Sequence, residues 1–387
     1  MTDKTTDGQL GEHAADELDA FRFRWDDLPA LSEALLGTGG VIRERLGDFE
    51  VDELPLYAPD GKGSHAFAHV EKRGLTTRDL VVALKNAGVA ENTIGVAGLK
   101  DKYAVTRQWL SVPNRHAEAF AALDELDGVR VLDTTRHRNK LGIGHLLGNR
   151  FRVTIRGAAD GAVERAEAIL GWLEPHGVPN YFGPQRFGRF GNNAIDGLRV
   201  LRGEKVSGDR RLQRFFLSAL QSHLFNHLLA ERVRAGLYDE VVTGDRAKKH
   251  DTGGLFVVED GAAETPRAKR LEISAAFPLY GKKVKVCGGV AGEFEQQILE
   301  RFGLRWIDFR QRRGAWRISR IALRNASVEA GDEDDSVVLS FDLPKGSFAT
   351  NLLREVMKVE VDAPIDRSGG EDDGDEGGSS PDLDEED

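Results

Sequence analysis

The chain has 387 residues with a net charge of −11, and 40% of its residues are hydrophobic. These are values of a globular protein long enough for two or three structural units, and no run of about 18 apolar residues could span a bilayer. A single cysteine, Cys287, excludes an intramolecular disulfide and a thiolate metal cluster, and no histidine pair has zinc-site spacing, so no metal is expected.

Taken in chain order, the sequence predicts mainly strands first and longer helices later. Alternating apolar and charged residues predict strands, and apolar residues at a 3.6-residue period between a capping residue and a glycine predict helices. The predicted elements are a strand at 40–55 with a turn at Gly47-Asp48, a strand at 65–74, a helix from Thr76 or Thr77 to Gly88, a short strand and turn at 93–101, strands at 105–112 and 150–157, helices at 161–177 and 212–235, a strand at 336–343, and a helix capped by Thr350.

This order is typical of an α+β protein in which a catalytic domain carries an inserted domain. The polar residues 1–20, without periodicity, and the Gly-, Ser- and acid-rich residues 362–387 are expected to be disordered. The first twenty residues also lack the apolar core of a secretory signal, which predicts a cytoplasmic protein.

Charge is unevenly distributed along the chain. Residues 366–387 carry −10 of the net charge, and 329–335 contains five more acids, so the remaining body is close to neutral and its cations are bunched. The basic clusters are 136–140, 246–250, 267–270, 282–285 and the arginines of 310–324. Such clusters suit a phosphate backbone, although each one alone is equally compatible with a solvated helix or strand face.

The stretch AGLKDKYAVTRQ at 97–108 places Asp101 at a predicted strand–turn–strand junction, between Lys100 and Lys102. Neighbouring cations would keep its carboxylate ionised and available as a nucleophile or base. An aspartate that merely hydrogen-bonds its own turn is the more common case, and this stretch alone does not exclude it.

Two further stretches combine residue types that a fold alone does not require. NYFGPQRFGRFG at 180–191 interleaves aromatic rings with arginines and glycines, which suits base stacking and phosphate contact, although an aromatic core patch is the alternative. LPKGSFATNLLRE at 343–355 ends like a phosphate-binding loop, but Ser340 stands where that loop needs glycine, so a turn before the last helix is predicted instead.

Together these stretches resemble the motifs of the tRNA pseudouridine synthase D (TruD) family. The matching stretches, in family order, are GLKDKYAVTRQ at 98–108, NYFGPQRFG at 180–188, a looser ALQSHLFNHLLAER at 219–232, and LPKGSFATNLLRE at 343–355. The resemblance spans about 41–359 and is to an archaeal-type member of the family. The acidic, arginine-dominated composition resembles a salt-adapted surface, and a halophilic source is expected.

The early motif departs from the family pattern. RERLGDFEVDE at 43–53 has Arg43 at the usual lysine, Leu46 at the proline and Gly47 at the glutamate. The positive charge persists, but arginine is a planar fork and lysine a point charge, so the geometry of the cationic partner is expected to differ.

The resemblance implies isomerisation of uridine to pseudouridine in tRNA, typically at position 13, by a monomer without cofactor or metal. The N1–C1′ bond is broken and the uracil is rejoined through C5, with Asp101 as the catalytic aspartate. Attack on C1′, addition to C6 and removal of a sugar proton all stay open. The uridine must leave its stack to reach Asp101.

The same resemblance implies roles for other residues. Arg43 would pair with Asp101, Phe49 would wall the pocket, and Phe182 would stack on the flipped base. The other residues expected to bind substrate are Lys100, Asn180, Gln185 and Arg186. Lys100 and Lys102 either hold Asp101 ionised or meet the RNA backbone.

The family also carries an inserted TRUD domain between its second and last motifs. By resemblance it is expected at 206–325, within a catalytic domain formed by 21–205 and 326–361 with a mixed or antiparallel sheet flanked by helices. Its expected task is to hold tRNA through phosphates. The competing interpretation is a non-catalytic RNA-binding or RNA-folding protein that retains the cleft, and a glycosidase-like enzyme is weaker because no second carboxylate has comparable motif support.

Overall fold

A computed structural model describes residues 17–361 of the chain. Its strands are β1 (Phe49–Pro55), β2 (His65–Arg73), β3 (Gly95–Val96), β4 (Val105–Pro113), β5 (Val129–His137), β6 (Leu146–Ile155), β7 (Val178–Pro179), β8 (Arg246–Lys249), β9 (Leu255–Val257), β10 (Ile273–Leu279), β11 (Ala315–Ile318), β12 (Arg320–Ile321), β13 (Arg324–Ala330) and β14 (Val337–Pro344). The α-helices whose two ends both lie in this range are α1 (Thr77–Asn86), α2 (Ala121–Asp124), α3 (Ala162–His176), α4 (Asn193–Arg202), α5 (Arg210–Arg234), α6 (Gly261–Lys269), α7 (Gly289–Arg301) and α8 (Ala349–Met357).

The two ends predicted to be disordered fall mostly outside the described residues, namely 1–16 and the acidic tail 362–387. Residues 17–20 are described and contact the rest of the protein. Leu18 packs against the largest hydrophobic core, and Asp19 pairs with Arg22 and Arg24. Contacts with the fold therefore begin before Phe21, where the sequence placed the first structure.

Eight strands form one mixed sheet, in the order β13-β14-β6-β1-β4-β2-β5, with β3 paired to β4. Neighbouring strands are antiparallel except β1 and β4, which run parallel with Glu50 opposite Val105. The predicted α+β class, with a mixed sheet and flanking helices, is confirmed. Because parallel strands begin at the same edge of a sheet, the segments that precede β1 and β4 lie side by side.

Helices α1, α3 and α8 pack on one face of this sheet. The inward residues of β1 alternate, with Phe49 and Val51 buried against the apolar faces of α3 and α8. Each fully buried Leu, Ile or Phe side chain contributes about 1.5–3 kcal/mol. The opposite face is charged, and Arg107 there pairs with Asp52 and Glu71.

Two local predictions are wrong. The strand predicted over 40–55 begins only at Phe49, because Gly40 and Arg43 adopt positive φ angles that break the extended chain. The last helix begins at Ala349 with Phe348 at the N-cap, so Thr350 lies inside the helix and is buried.

A second unit is built on a four-stranded antiparallel sheet, β11-β10-β8-β9. Helix α5 packs against β10 and against α4, which explains why most of its residues from Leu217 to Arg232 are buried. Its core is continuous with Tyr181, Phe182 and Phe187 of the second motif.

The chain leaves the large sheet at Ile155, the end of β6, and re-enters it at Arg324, the start of β13. The second sheet ends at Ile318, and β12 then pairs with β7. Strand β13 already belongs to the large sheet, so the predicted boundary at 325/326 falls within a strand of that sheet. No helix among residues 17–361 is long and apolar enough to cross a membrane.

Candidate active site

The parallel pairing of β1 with β4 determines where Asp101 lies. The loop 97–104 precedes β4, and the segment 41–48 precedes β1, so both lie at the same edge of the sheet. The predicted strand–turn–strand junction around Asp101 is confirmed, because β3 leads into this loop and pairs with β4. The register therefore brings Arg43 and Asp101 together although they are far apart in the chain.

Asp101 is an exposed carboxylate with a cation beside it. Its side chain is 64% exposed, and its Oδ2 lies 3.6 Å from Nη2 of Arg43, whose own side chain is 19% exposed. This distance is that of an ion pair rather than a close hydrogen bond. The carboxylate is thus held next to positive charge while staying accessible to a large substrate.

Arg43 is held in place by its ring neighbour and by an uncommon backbone conformation. Its guanidinium carbon lies 4.3 Å from the centroid of the buried Phe49 ring, a cation–π contact that a planar guanidinium makes well. Arg43 has a φ of 61°, which is rare for a residue with a side chain. Asp48 fixes the following turn through hydrogen bonds from the buried Arg156.

Lys72 supports the Asp101 loop from the interior of the protein, and the sequence does not predict this role. The side chain is fully buried and its Nζ donates to the carbonyl of Asp101 at 2.8 Å and to that of Leu75 at 2.5 Å. Burial lowers the pKa of Lys72 to about 8. The sequence gives little signal, because the adjacent Glu71 and Lys72 are both buried and the strand does not alternate there.

Lys100 faces inward rather than toward Asp101 or solvent. Its Nζ lies 3.1 Å from Oε2 of Glu53 and donates to Oδ1 of Asn149 at 3.0 Å, and its backbone N–H donates to Oγ1 of Thr77. Burial raises the pKa of Glu53, and the ammonium of Lys100 opposes that shift. Lys100 is therefore a buried anchor of the loop in this conformation, which differs from both roles expected for it.

Asn180 and Phe182 form a second cluster around Arg317. The Arg317 guanidinium carbon lies 4.0 Å from the centroid of the Phe182 ring, and its Nη2 donates to Oδ1 of Asn180 at 2.5 Å. Asn180 donates in turn to the carbonyl of Ile318. The backbone N–H of Phe182 donates to Oδ1 of Asn226, and Nδ2 of Asn226 donates to the carbonyl of Phe182. All three members of the cluster are buried.

Sequence reasoning counted Arg317 among cations that meet phosphates, and the structure shows a different environment for it. Arg317 is buried on β11, and Arg320 is buried as well and donates to the carbonyls of His176, Ala268 and Ile273. Nothing in the sequence separates these two arginines from the exposed ones around them.

Gln185 and Arg186, the other two residues of the second motif that are expected to bind substrate, differ in exposure. Gln185 is exposed on a short turn over 184–186. Arg186 is half-buried, donates to Oγ of Ser218 at 3.1 Å, and lies 5.3 Å from the Phe182 ring centroid. Arg186 thus belongs to the Phe182 cluster, while Gln185 lies outside it.

The third motif connects the two clusters. Lys345 donates to the carbonyl of Gly144, whose N–H donates to the carbonyl of Ala97 at the start of the Asp101 loop. On the other side, Asn351 donates to the carbonyl of Tyr181, and Arg317 lies 5.8 Å from the Phe348 ring centroid. All three motifs therefore contribute to one region of the molecule.

This arrangement suits acid–base or nucleophilic chemistry by a carboxylate. Asp101 offers an accessible oxygen, Arg43 supplies the countercharge, and the loop is anchored from inside by Lys72 and Lys100. Among residues 17–361, no three His, Cys, Asp or Glu side chains are grouped to hold a metal. The sheet and its exposed loop carboxylate are compatible with the class of enzymes that use an aspartate in catalysis.

Comparisons with known proteins agree with this class. A family model described as tRNA pseudouridine synthase D (TruD) matches residues 30–208 and 205–356. The chain is 50% identical over 340 residues to tRNA pseudouridine synthase D of Thermus thermophilus, covering 88% of this chain and 94% of that protein. It is 45% identical over 348 residues to the protein of the same name from Anaeromyxobacter dehalogenans, covering 88% and 99%.

A solved structure has the same fold. The crystal structure of a putative tRNA pseudouridine synthase D from Methanosarcina mazei superposes with a TM-score of 0.71 at 25% identity, covering 86% of this chain and 97% of that one. The fold is therefore that of a pseudouridine synthase. The chain belongs to the tRNA pseudouridine synthase D (TruD) family. The archaeal-type and salt-adapted assignments are tested by none of these comparisons and stay predictions.

Proposed function

We propose that this protein isomerises uridine to pseudouridine in tRNA, with Asp101 as the catalytic residue. The observation that carries the proposal is the exposed Asp101 carboxylate, paired with Arg43 where the family motifs converge. Family membership and the names of the relatives support tRNA as the substrate. Following the resemblance, we place the target uridine at position 13 and propose a cytoplasmic monomer without cofactor.

The isomerisation requires the protein to position the nucleotide and to supply one carboxylate. The N1–C1′ bond breaks, a C5–C1′ bond forms, N1 gains a proton and C5 loses one, so no oxidant or reductant is consumed. Asp101 is exposed enough to reach a flipped nucleotide by any of three routes: attack on C1′, addition to C6, or removal of a sugar proton. Arg43 balances the charge of the carboxylate, and Lys72 fixes the backbone of Asp101.

The proposed place of the flipped base is beside Phe182, as the family resemblance implies. The Arg317 guanidinium lies over that ring, and Phe182 is 1% exposed. A base that stacks on Phe182 must therefore displace this guanidinium, and a base is worth about 1–3 kcal/mol when stacked on an aromatic ring. Arg317 could then turn its donors from Asn180 to the base or its phosphate.

The test is Asp101→Asn, which keeps the shape of the side chain and removes its charge. Pseudouridine is mapped in tRNA from cells that lack this protein and express either the wild type or the variant. We expect at least about a 1000-fold loss of rate with purified enzyme, because the reacting group is removed, and tRNA affinity within about twofold of wild type. Asp127→Asn, at another exposed turn, is the matched control and should stay fully active.

If the Asp101→Asn variant modifies tRNA at the wild-type rate, Asp101 is not the catalytic residue. If the wild-type protein binds tRNA but forms no pseudouridine in any tRNA, the alternative of a non-catalytic RNA-binding or RNA-folding protein is correct.

A further inference from the structure

Two basic loops of the second unit come together on the surface. We call residues 280–288 and 305–314 the basic loop pair; it carries Lys282, Lys283 and Lys285 on one side and four arginines on the other. The pair has a net charge of +6 in a chain whose net charge is −11. The three lysines and Arg310 are exposed.

Backbone contacts and the side chain of Gln221 hold the two loops together. Lys282 donates its backbone N–H to the carbonyl of Arg312 at 2.6 Å, and Gln221 of α5 donates to the carbonyls of Tyr280 and Arg313. Gly281 and Gly314 face each other so closely that a Cβ on either one would lie about 2.6–2.7 Å from the other loop. The juxtaposition of like charges is thus built into the fold.

The lysines of this pair differ from the cluster 267–270, because no carboxylate among the described residues lies at ion-pair distance from them. In the cluster 267–270, Arg267, Lys269 and Arg270 all pair with glutamates. Within residues 17–361, by contrast, no carboxylate lies at ion-pair distance from these members of the pair: Lys282, Lys283, Lys285 and Arg310. Concentrating unpaired cations costs electrostatic self-repulsion, which an external polyanion would relieve.

The basic loop pair is continuous with the Phe182 cluster. The loops extend from the paired ends of β10 and β11, where Leu279 lies opposite Ala315. Arg317, which contacts Phe182 and Asn180, lies shortly beyond Gly314 on the same chain segment. At about 3.3 Å per residue in a strand, the pair begins roughly 10 Å from the Phe182 cluster.

We propose that the basic loop pair binds the phosphate backbone of the substrate tRNA next to the modified nucleotide. The inference rests on the proposed function, because it takes the RNA of that reaction as the ligand. The exposed lysines meet phosphates as point charges, and the short distance to Phe182 assigns them to nucleotides that flank the flipped base. The cluster 267–270, which is already neutralised, has no comparable role.

The experiment compares two triple variants that remove the same charge. Lys282, Lys283 and Lys285 are changed to Gln in one, and Arg267, Lys269 and Arg270 to Gln in the other. The affinity for an unmodified tRNA transcript is measured from about 50 to 300 mM salt. All variants carry Asp101→Asn, so that no turnover occurs during the measurement.

We expect the lysine variant to bind at least about tenfold more weakly at 100 mM salt. The slope of log affinity against log salt is negative, and its magnitude should fall by about 2, since each lost phosphate contact removes roughly 0.7–0.9. The control variant should stay within about threefold of the parent with an unchanged slope. With Asp101 restored, the lysine variant should show its loss as a raised KM for tRNA, because the effect is on binding.

Equal affinity and slope in the lysine variant and the parent would overturn the proposal, as would an equal loss in both triple variants. A Lys→Arg triple variant, which keeps the charge, should bind like the parent; weak binding there would show that loop structure rather than charge is responsible and would also overturn it. The proposed function fails separately, if the wild-type protein binds tRNA but forms no pseudouridine in it.

Discussion

Replacing Lys100 by Met should destabilise the catalytic domain strongly, because it leaves Glu53 buried without its partner. The two side chains are 5% and 1% exposed, and their charged atoms are 3.1 Å apart. At that distance the attraction is roughly 5 kcal/mol for an effective dielectric constant of 20, before the cost of desolvation is subtracted. Breaking a buried pair by removing one partner typically costs about 3–5 kcal/mol.

The cost should fall at the lower end of this range, near 3 kcal/mol. Burial already raises the pKa of Glu53, so the lone carboxyl can escape part of the penalty by taking up a proton. Glu53→Gln should cost a similar amount by stranding the Lys100 ammonium. The double variant, with both side chains uncharged, should lose only about 1 kcal/mol, which gives a coupling energy of several kcal/mol.

The assay is urea unfolding of the four proteins of this double-mutant cycle, followed by tryptophan fluorescence. Trp109 is a local reporter, since its backbone N–H faces Oε1 of Glu53 at 3.4 Å. The reasoning is refuted if Lys100→Met unfolds within about 1 kcal/mol of wild type. If the same variant also bound tRNA tenfold more weakly, Lys100 would contact RNA, as sequence reasoning expected.

Arg317→Met should lower kcat about 10- to 100-fold with tRNA affinity changed less than threefold, because Arg317 orients Asn180 and contacts Phe182, beside which we propose that the flipped base lies. Steady-state kinetics measure both quantities, and an unchanged kcat would remove Arg317 from the site. Acid should destabilise the protein between about pH 6.5 and 4, because burial lowers the pKa of His227 to about 4 and the unfolded chain takes up the proton first. The loss from this residue is on the order of 3 kcal/mol, and His227→Phe, which can pack against Phe302 4.9 Å away, should reduce it; urea midpoints that fall equally with pH in both proteins would contradict this assignment.

Local patterns predicted most of the elements around the site. The helix from Thr76 is confirmed with a capping box, in which Thr76 and Asp79 each accept from the backbone N–H of the other. Strand β5 was recognised only as a basic cluster around 136–140, since it lies at the edge of the sheet and is largely exposed on both faces. Helix α4 follows a glycine-rich stretch, and the sequence does not predict it as a separate helix.

The motifs predict the site residues that belong to them, but not the contacts that those residues make with side chains distant in the chain. Motif resemblance named Arg43 and Asp101, and strand register brings them into contact. It could not show that Lys100 points inward, because that depends on Glu53 and Asn149 in neighbouring strands. Likewise, counting cations could not separate the neutralised cluster 267–270 from the unpaired lysines of the basic loop pair.

The parallel alignment of β1 and β4 also bears on which parts of the chain can change. Between Arg43 and Asp101 the chain leaves this edge of the sheet along β1 and returns to it through β2, α1 and β3. Lengthening the turn around Gly61, where a side chain would meet open space, would not shift the carboxylate relative to the guanidinium. A slip of one residue between β1 and β4 would separate them by a full strand step. A fixed spacing is thus required within β1, β4 and the segments that precede them, while the length of the turn around Gly61 is free to vary.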